Sequence, residues 1–376
     1  MTKKTKNINF EILRVVAMFF IVVGHLFTHG MNDLSAMQFD THPAVITSNR
    51  MLVAYLRVVT SVAVNCYVMI TGYFSINSTA FRWEKLTKLW LQIVFYSLGI
   101  YLIAHIAAST FSVSGLWDAA RPISSNQYWF ISTYVALIAL APFLSRLAKG
   151  LSQREWKIGL FVLIILSSPL IKNVTFPLPL DRQTAIMWFI TLFYAGGYIR
   201  LFNPLERFKK YLGMWFILFC FFLMCANVVV YHYIARENWD TGLVLGNSSF
   251  TFISSVLFFL WFKYSNFKRN KLTRFFVSIA PFTLGVYLVH DNHNLRGLIW
   301  RAVSASDYFG SYAFITYVMV VCMVIFIVCI VIDYIRSKLF KLLRMDILSN
   351  KITQSVIWIL KRVYASTKQW ANKLPQ

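Results

Sequence analysis

Residues 10–27 read FEILRVVAMFFIVVGHLF, a run apolar and long enough to enter a bilayer as one helix, yet it holds Glu11, Arg14 and His25. Charged or titratable side chains at membrane depth are costly, so they face a partner, a cavity or a substrate path rather than lipid. At 100° per residue, the eleven steps from Arg14 to His25 return to within about 20° of one face, roughly 16 Å further along the axis. Glu11 lies three residues before Arg14 and can pair with it on that stripe. One helix face therefore carries a charged pair towards one surface and an imidazole towards the other.

The rest of the chain has the same character. It is 58% hydrophobic and 14% charged, with 34 Phe and 12 Trp, which describes a polytopic membrane protein. The expected fold is an all-α membrane bundle of about ten spans: 10–28, 51–74, 86–108, 128–147, 157–171, 184–201, 212–234, 249–263, 276–291 and 312–335. The fifth and eighth are short or polar. With the N-terminus in the cytoplasm, the inside connectors and the turns bordering them hold 28 of the 37 Lys and Arg; the outside ones hold seven. That alternation supports ten spans with both termini inside. The same distribution removes nucleic acid as the reading of the +23 charge, since basic residues in every second connector form no phosphate-tracking groove.

The opening MTKKTKNINF is basic and runs into apolar sequence, but no small-residue cleavage site follows, so an uncleaved first span is expected. All five Cys lie in apolar runs at no metal-ligand spacing, as inert buried thiols do. Residues 1–336 read as the membrane domain. Residues 337–376 read as a basic tail, either an amphipathic helix on the cytoplasmic membrane surface or a disordered segment. No soluble catalytic domain or internal repeat is visible.

Several polar groups are candidates for chemistry. His25 and His290 (in FTLGVYLVHDNHNLR) fall near the outer surface, and Tyr128 and Trp129 open the fourth span from that side. Arg14 and Glu11 lie near the inner end, and FRWEKLTKLW places Lys85 and Lys88 one turn apart on the cytoplasmic face. Each has a plainer reading. Arg14 can snorkel to headgroups, the two lysines can be positive-inside anchors, and Tyr128 and Trp129 can belong to the interfacial aromatic belt. Arg57 reads as a structural ion-pair member, with Asp333 or Glu11 as conceivable partners.

In ordered combination these residues resemble the acyltransferase-3 family of integral-membrane acyltransferases. The family's first helix carries an acidic residue, then Leu-Arg, ten residues and His, here Glu11, Leu13, Arg14 and His25. Its cytoplasmic Arg-x-x-Arg after a Phe is similar to Lys85-x-x-Lys88 after Phe81, with the bidentate fork of Arg replaced by point charges. Thr71-Gly72-Tyr73, then Trp129-Phe130 with Pro142, and Tyr287-x-x-His290 resemble three further family segments. The chain looks most like stand-alone bacterial members that O-acetylate surface polysaccharides, such as the enterobacterial common antigen type.

The resemblance implies an O-acyltransferase of the bacterial inner membrane, with acetyl-CoA as donor co-substrate, a surface or lipid-linked glycan as acceptor and no metal. It casts His25 as the base, with Arg14 and Glu11 in the catalytic stripe. Lys85, Lys88 and Arg14 would meet the donor; Trp129, Tyr287 and His290 would bind the acceptor. An acyl-imidazole on His25 remains an alternative to direct transfer. A polysaccharide or lipid-linked-sugar exporter is the competing reading.

Overall fold

The computed structural model describes residues 7–31, 43–125, 127–168, 185–230 and 247–371. The α-helices there, in chain order, are α1 (Ile8–His29), α2 (Pro43–Thr60), α3 (Val62–Ser75), α4 (Trp83–Ala107), α5 (Val113–Ala120), α6 (Trp129–Lys149), α7 (Gln153–Ser167) and α8 (Ala185–Phe202). They continue as α9 (Leu212–Val230), α10 (Ser249–Tyr264), α11 (Lys271–Ile279), α12 (Thr283–His290), α13 (His293–Val303), α14 (Phe314–Leu342) and α15 (Met345–Ala371). Among the described residues there is no strand. The fold is an all-α polytopic membrane bundle.

Eight segments are long and apolar enough to cross a membrane: α1, α2 with α3, α4, α6, α8, α9, α11 with α12, and α14. The expected fifth and eighth spans are the helices α7 and α10, of 15 and 16 residues. At 1.5 Å per residue they rise only about 22–24 Å, short of the roughly 30 Å hydrocarbon core. Residues 169–171 of the expected fifth span, 184 of the sixth and 231–234 of the seventh lie outside the described residues.

Helix α1 is the hub. Two-thirds of its spanning window is buried, 67% against 28% for α14, which explains a helix apolar on nearly every side. Phe10, Leu13 and Ala17 belong to one apolar core with α3, α8 and α10. Val22, Leu26 and Phe27 belong to a second core with α12 and α14. The polar stripe is what remains between them.

Helices α3 and α8 pack almost backbone to backbone. A Cβ on Gly72 would stand 2.0 Å from the Phe193 carbonyl oxygen, and one on Gly196 would stand 2.1 Å from that of Met69. Only glycine permits this approach, a common device where apolar lipid gives helices no hydrophobic drive to associate.

Between α11 and α12, a short 3-10 turn around Pro281 interrupts the helix. The chain then stops at His290 and restarts at α13, whose cap Asn292 accepts a hydrogen bond from the Asn294 amide. His290, Asp291 and Asn292 are all buried in that corner.

Helix α14 continues without a break through residues 336 and 337 to Leu342. Arg344 then takes a left-handed conformation, φ 51°, and α15 starts beside it. The tail helix packs on α4, where the buried Thr353 hydroxyl donates to that of Thr87 at 2.9 Å.

Candidate functional site

The centre of the site is a pair of imidazoles brought together from residues 265 apart in sequence. His290 Nδ1 lies 2.6 Å from the Val286 carbonyl oxygen, and a carbonyl can only accept, so Nδ1 carries the proton. In the neutral ring, Nε2 is then a lone-pair acceptor, and it lies 2.9 Å from His25 Nδ1. His25 therefore donates through Nδ1 and keeps a bare lone pair on Nε2. A backbone carbonyl on α12 thus fixes the tautomer of a residue on α1.

Asp291 supports this corner. Its Oδ1 is 3.7 Å from His25 Nδ1, 3.9 Å from His29 Nε2 and 3.4 Å from Arg296 Nη1. His25, His29 and Asp291 offer three ligand atoms within 4.8 Å of one another, a spacing a divalent ion could use. His290 already engages His25 Nδ1, however, and the Arg296 cation shares the same Asp291 oxygen. Both favour a hydrogen-bonded and ion-paired cluster.

The corner is locked from behind by Tyr128. Its hydroxyl donates to the Leu288 carbonyl at 2.9 Å and accepts from Asn292 Nδ2 at 2.6 Å. A phenol is protonated at neutral pH, so this donor stays in place. Tyr287 completes the frame, its ring centroid 6.3 Å from that of His25 and 5.8 Å from that of Tyr128.

In front of the corner opens a cavity of about 1200 Å³, lined among others by His29, Asn65, Trp129, Trp188, Asp291 and Arg296. His29 and Asp291, which flank His25, therefore form part of its wall. Trp188 donates its indole N–H to Asn65 Oδ1 at 3.0 Å, so one aromatic wall is held in place. Trp129 is about half exposed into this region.

At the other end of α1, Arg14 Nη1 meets Glu11 Oε1 at 2.5 Å. Glu11 is almost buried and the Arg14 side chain keeps 30% of its exposure. The Tyr67 hydroxyl donates to the Arg14 carbonyl at 2.6 Å. Tyr134 shares a 2.9 Å hydrogen bond with Thr71, and both Arg14 and Arg82 lie within electrostatic reach of it.

The expected residues thus fall into separate groups. His25, His290 and Tyr287 come together; Trp129 stands on the cavity wall; Glu11 and Arg14 pair at the opposite end. Lys85 and Lys88 sit exposed on the first turns of α4, with Lys88 paired to Glu84 at 2.5 Å. Arg57 donates to the Phe27 carbonyl at 2.6 Å, near the end of α1, where a cation suits the orphan carbonyls. Asp333 is engaged by Arg336, Tyr96 and Gln92, and Glu11 by Arg14.

Sequence reasoning missed Asp291, Asn292 and Arg82. Asp291 and Asn292 adjoin His290 in HDN, a polar triplet ending an apolar run, and that was the available signal. Arg82 was hidden among the basic residues of a connector.

A family model described as an acyltransferase domain matches residues 7–334. No curated protein and no solved structure gives a match.

Proposed function

The chain belongs to that acyltransferase family and is a multi-pass membrane protein, and from this premise we propose that it moves an acyl group, acetyl in the simplest case, from cytoplasmic acyl-CoA to a hydroxyl of a surface or lipid-linked polysaccharide. The observation that carries the proposal is the Val286–His290–His25 relay, which leaves His25 Nε2 as a base beside a polar, aromatic-walled cavity.

The chemistry is direct transfer. The acceptor hydroxyl gives its proton to His25 Nε2 as its oxygen bonds to the thioester carbonyl carbon. Collapse of that adduct breaks the C–S bond, and the departing thiolate recovers the proton from His25. Throughout, His290 holds the other ring nitrogen, and Asp291 at 3.7 Å stabilises the imidazolium formed in between. Arg14 and Glu11 close the opposite end of the stripe as an ion pair, on the side from which a donor arriving at the basic face would enter.

The cavity's lining suits a sugar. Trp129 and Trp188 offer flat apolar faces for the C–H side of a pyranose, while Asn65, Asp291 and Arg296 offer groups for its hydroxyls. An inner-membrane location in a bacterium and an O-acetylating role follow the same reading.

The test uses the full chain in sealed vesicles containing a candidate glycan. Radiolabelled acetyl-CoA supplied on the side bearing the termini should label glycan held on the opposite side. Glycan transport that proceeds equally without acetyl-CoA, with no label transferred, would replace this reading with the exporter.

A further inference from the structure

Away from the histidine corner, a second cavity of about 850 Å³ lies where α4, the end of α14 and the start of α15 meet. Lys88, Arg336, Lys341 and Arg344 line it, against one carboxylate, Asp346. Two of these cations are already tied down: Lys88 to Glu84, and Arg336 to the fully buried Asp333 by a two-point contact at 2.9 Å. Lys341 and Arg344 form no ion pair among the described residues. The rest of the wall is mostly apolar, with Leu89, Leu91, Phe340, Met345 and Ile347, beside the polar Gln92 and Ser337.

The site is built by a specific backbone device. Helix α14 ends at Leu342, and Arg344 adopts φ 51°, a conformation a non-glycine residue takes at a cost. This turn folds α15 back along α4 and sets Lys341 and Arg344 over the gap between two membrane helices. Three of the four cations, Arg336, Lys341 and Arg344, lie beyond residue 334, where the family match ends.

We propose that this cavity binds the phosphate headgroup of an anionic phospholipid. The chemistry is a phosphate ester met by Lys341 and Arg344, with Arg336 behind them, while its acyl chains run down the apolar wall between α4 and α14. The apolar lining favours a lipid over a free anion, which would leave that wall wet. Basic clusters at the ends of spans attract anionic lipid generally; here the folded-back helix gathers the cations around an open cleft rather than leaving them scattered on the surface. Occupancy would also pin α15 onto α4, coupling the tail helix to the bundle.

A nucleotide phosphate could meet the same cations, so the experiment carries an arm for each source. The full chain is placed in nanodiscs of phosphatidylcholine doped with phosphatidylglycerol or cardiolipin. Bound lipid is read by native mass spectrometry, with coenzyme A titrated in separately. The variant is Lys341→Gln/Arg344→Gly, since glycine accepts the left-handed turn and Arg336, which holds the buried Asp333, is left alone. The expected result is retained anionic lipid in the wild type, at least fivefold less in the variant, and coenzyme A affinity unchanged within twofold. Equal lipid retention by both proteins overturns the proposal. A variant that keeps its lipid and loses coenzyme A overturns it as well, assigning the cavity to the nucleotide. Circular dichroism of the variant must match the wild type; if α15 has unfolded, Lys341→Gln alone is compared by the same readout.

Discussion

The two ends of α1 solve the same problem by different means. At one end, the buried Glu11 is compensated within a single helical turn by Arg14, three residues away. At the other, His25 is compensated by His290 from another helix, which is in turn held by its own backbone. The first arrangement is a closed ion pair, satisfied before any other helix arrives. The second is open: its hydrogen-bond chain runs in one direction and ends on an unused lone pair. A closed pair stabilises; an open chain can accept a proton. The comparison therefore assigns structure to the Arg14 end and chemistry to the His25 end.

Replacing His25 by Ala tests that assignment most severely. Acetyl transfer should fall by about 10²- to 10⁴-fold, the range a positioned base supplies, while the protein still inserts and binds acetyl-CoA. Transfer within tenfold of wild type would remove His25 from the proton step and with it the contrast between the two ends.

His290 separates an orienting role from an acceptor-binding one. His290→Gln keeps an acceptor for the His25 N–H, whereas His290→Leu has none. Partners that orient a histidine typically cost roughly 10- to 100-fold when lost. The expected order is a large drop in kcat for His290→Leu, partial recovery for His290→Gln, and little change in acceptor KM for either. A KM effect with intact kcat would return His290 to the acceptor-binding role that the family resemblance suggests.

How much of this was legible in the sequence follows the same divide. The Glu11–Arg14 pair and the shared stripe with His25 follow from helical spacing, because both depend on one helix alone. Eight of the ten expected spans also follow, since apolar length and the Lys and Arg distribution are local quantities; the expected fifth and eighth, α7 and α10, are too short to cross alone. What fell short was whatever needs two distant segments. No periodicity places Val286, His290 and His25 in one chain of bonds, and none reveals that Tyr128 locks the corner through Leu288 and Asn292. Trp129 and Tyr128 are adjacent in sequence and were weighed together, yet one lines the cavity and the other is wholly internal. The bond from Arg57 to the Phe27 carbonyl likewise leaves no mark in sequence, because a backbone acceptor has no residue type.

The Arg14 end can be tested by stability rather than rate. Glu11→Gln leaves the guanidinium without its counter-charge in a half-buried setting and should cost about 1–3 kcal/mol, read as a lower thermal midpoint in detergent. Replacing both residues, as Glu11→Leu/Arg14→Met, should be milder than Glu11→Gln alone, because no charge is left unpaired. If the double change is the worse of the two, the pair does more than close on itself, and the Arg14 end belongs to the chemistry.

The smallest effect is expected at Lys85 and Lys88, and its size decides how the donor is held. Lys88 and Glu84 are each about half exposed, and such pairs contribute under about 1 kcal/mol in water. Point charges at a wet surface attract a polyanion mainly at long range, and salt screens that attraction over roughly 10 Å at 0.1 M. Lys85→Gln/Lys88→Gln should therefore raise the KM for acetyl-CoA by no more than about fivefold at low salt. The difference should vanish at high salt, with kcat unchanged. A larger loss that survives salt would mean the lysines close around the phosphates when donor binds. The basic end of the molecule would then be as open a site as the histidine end, and the division between a closed pair and an open chain would hold for α1 alone.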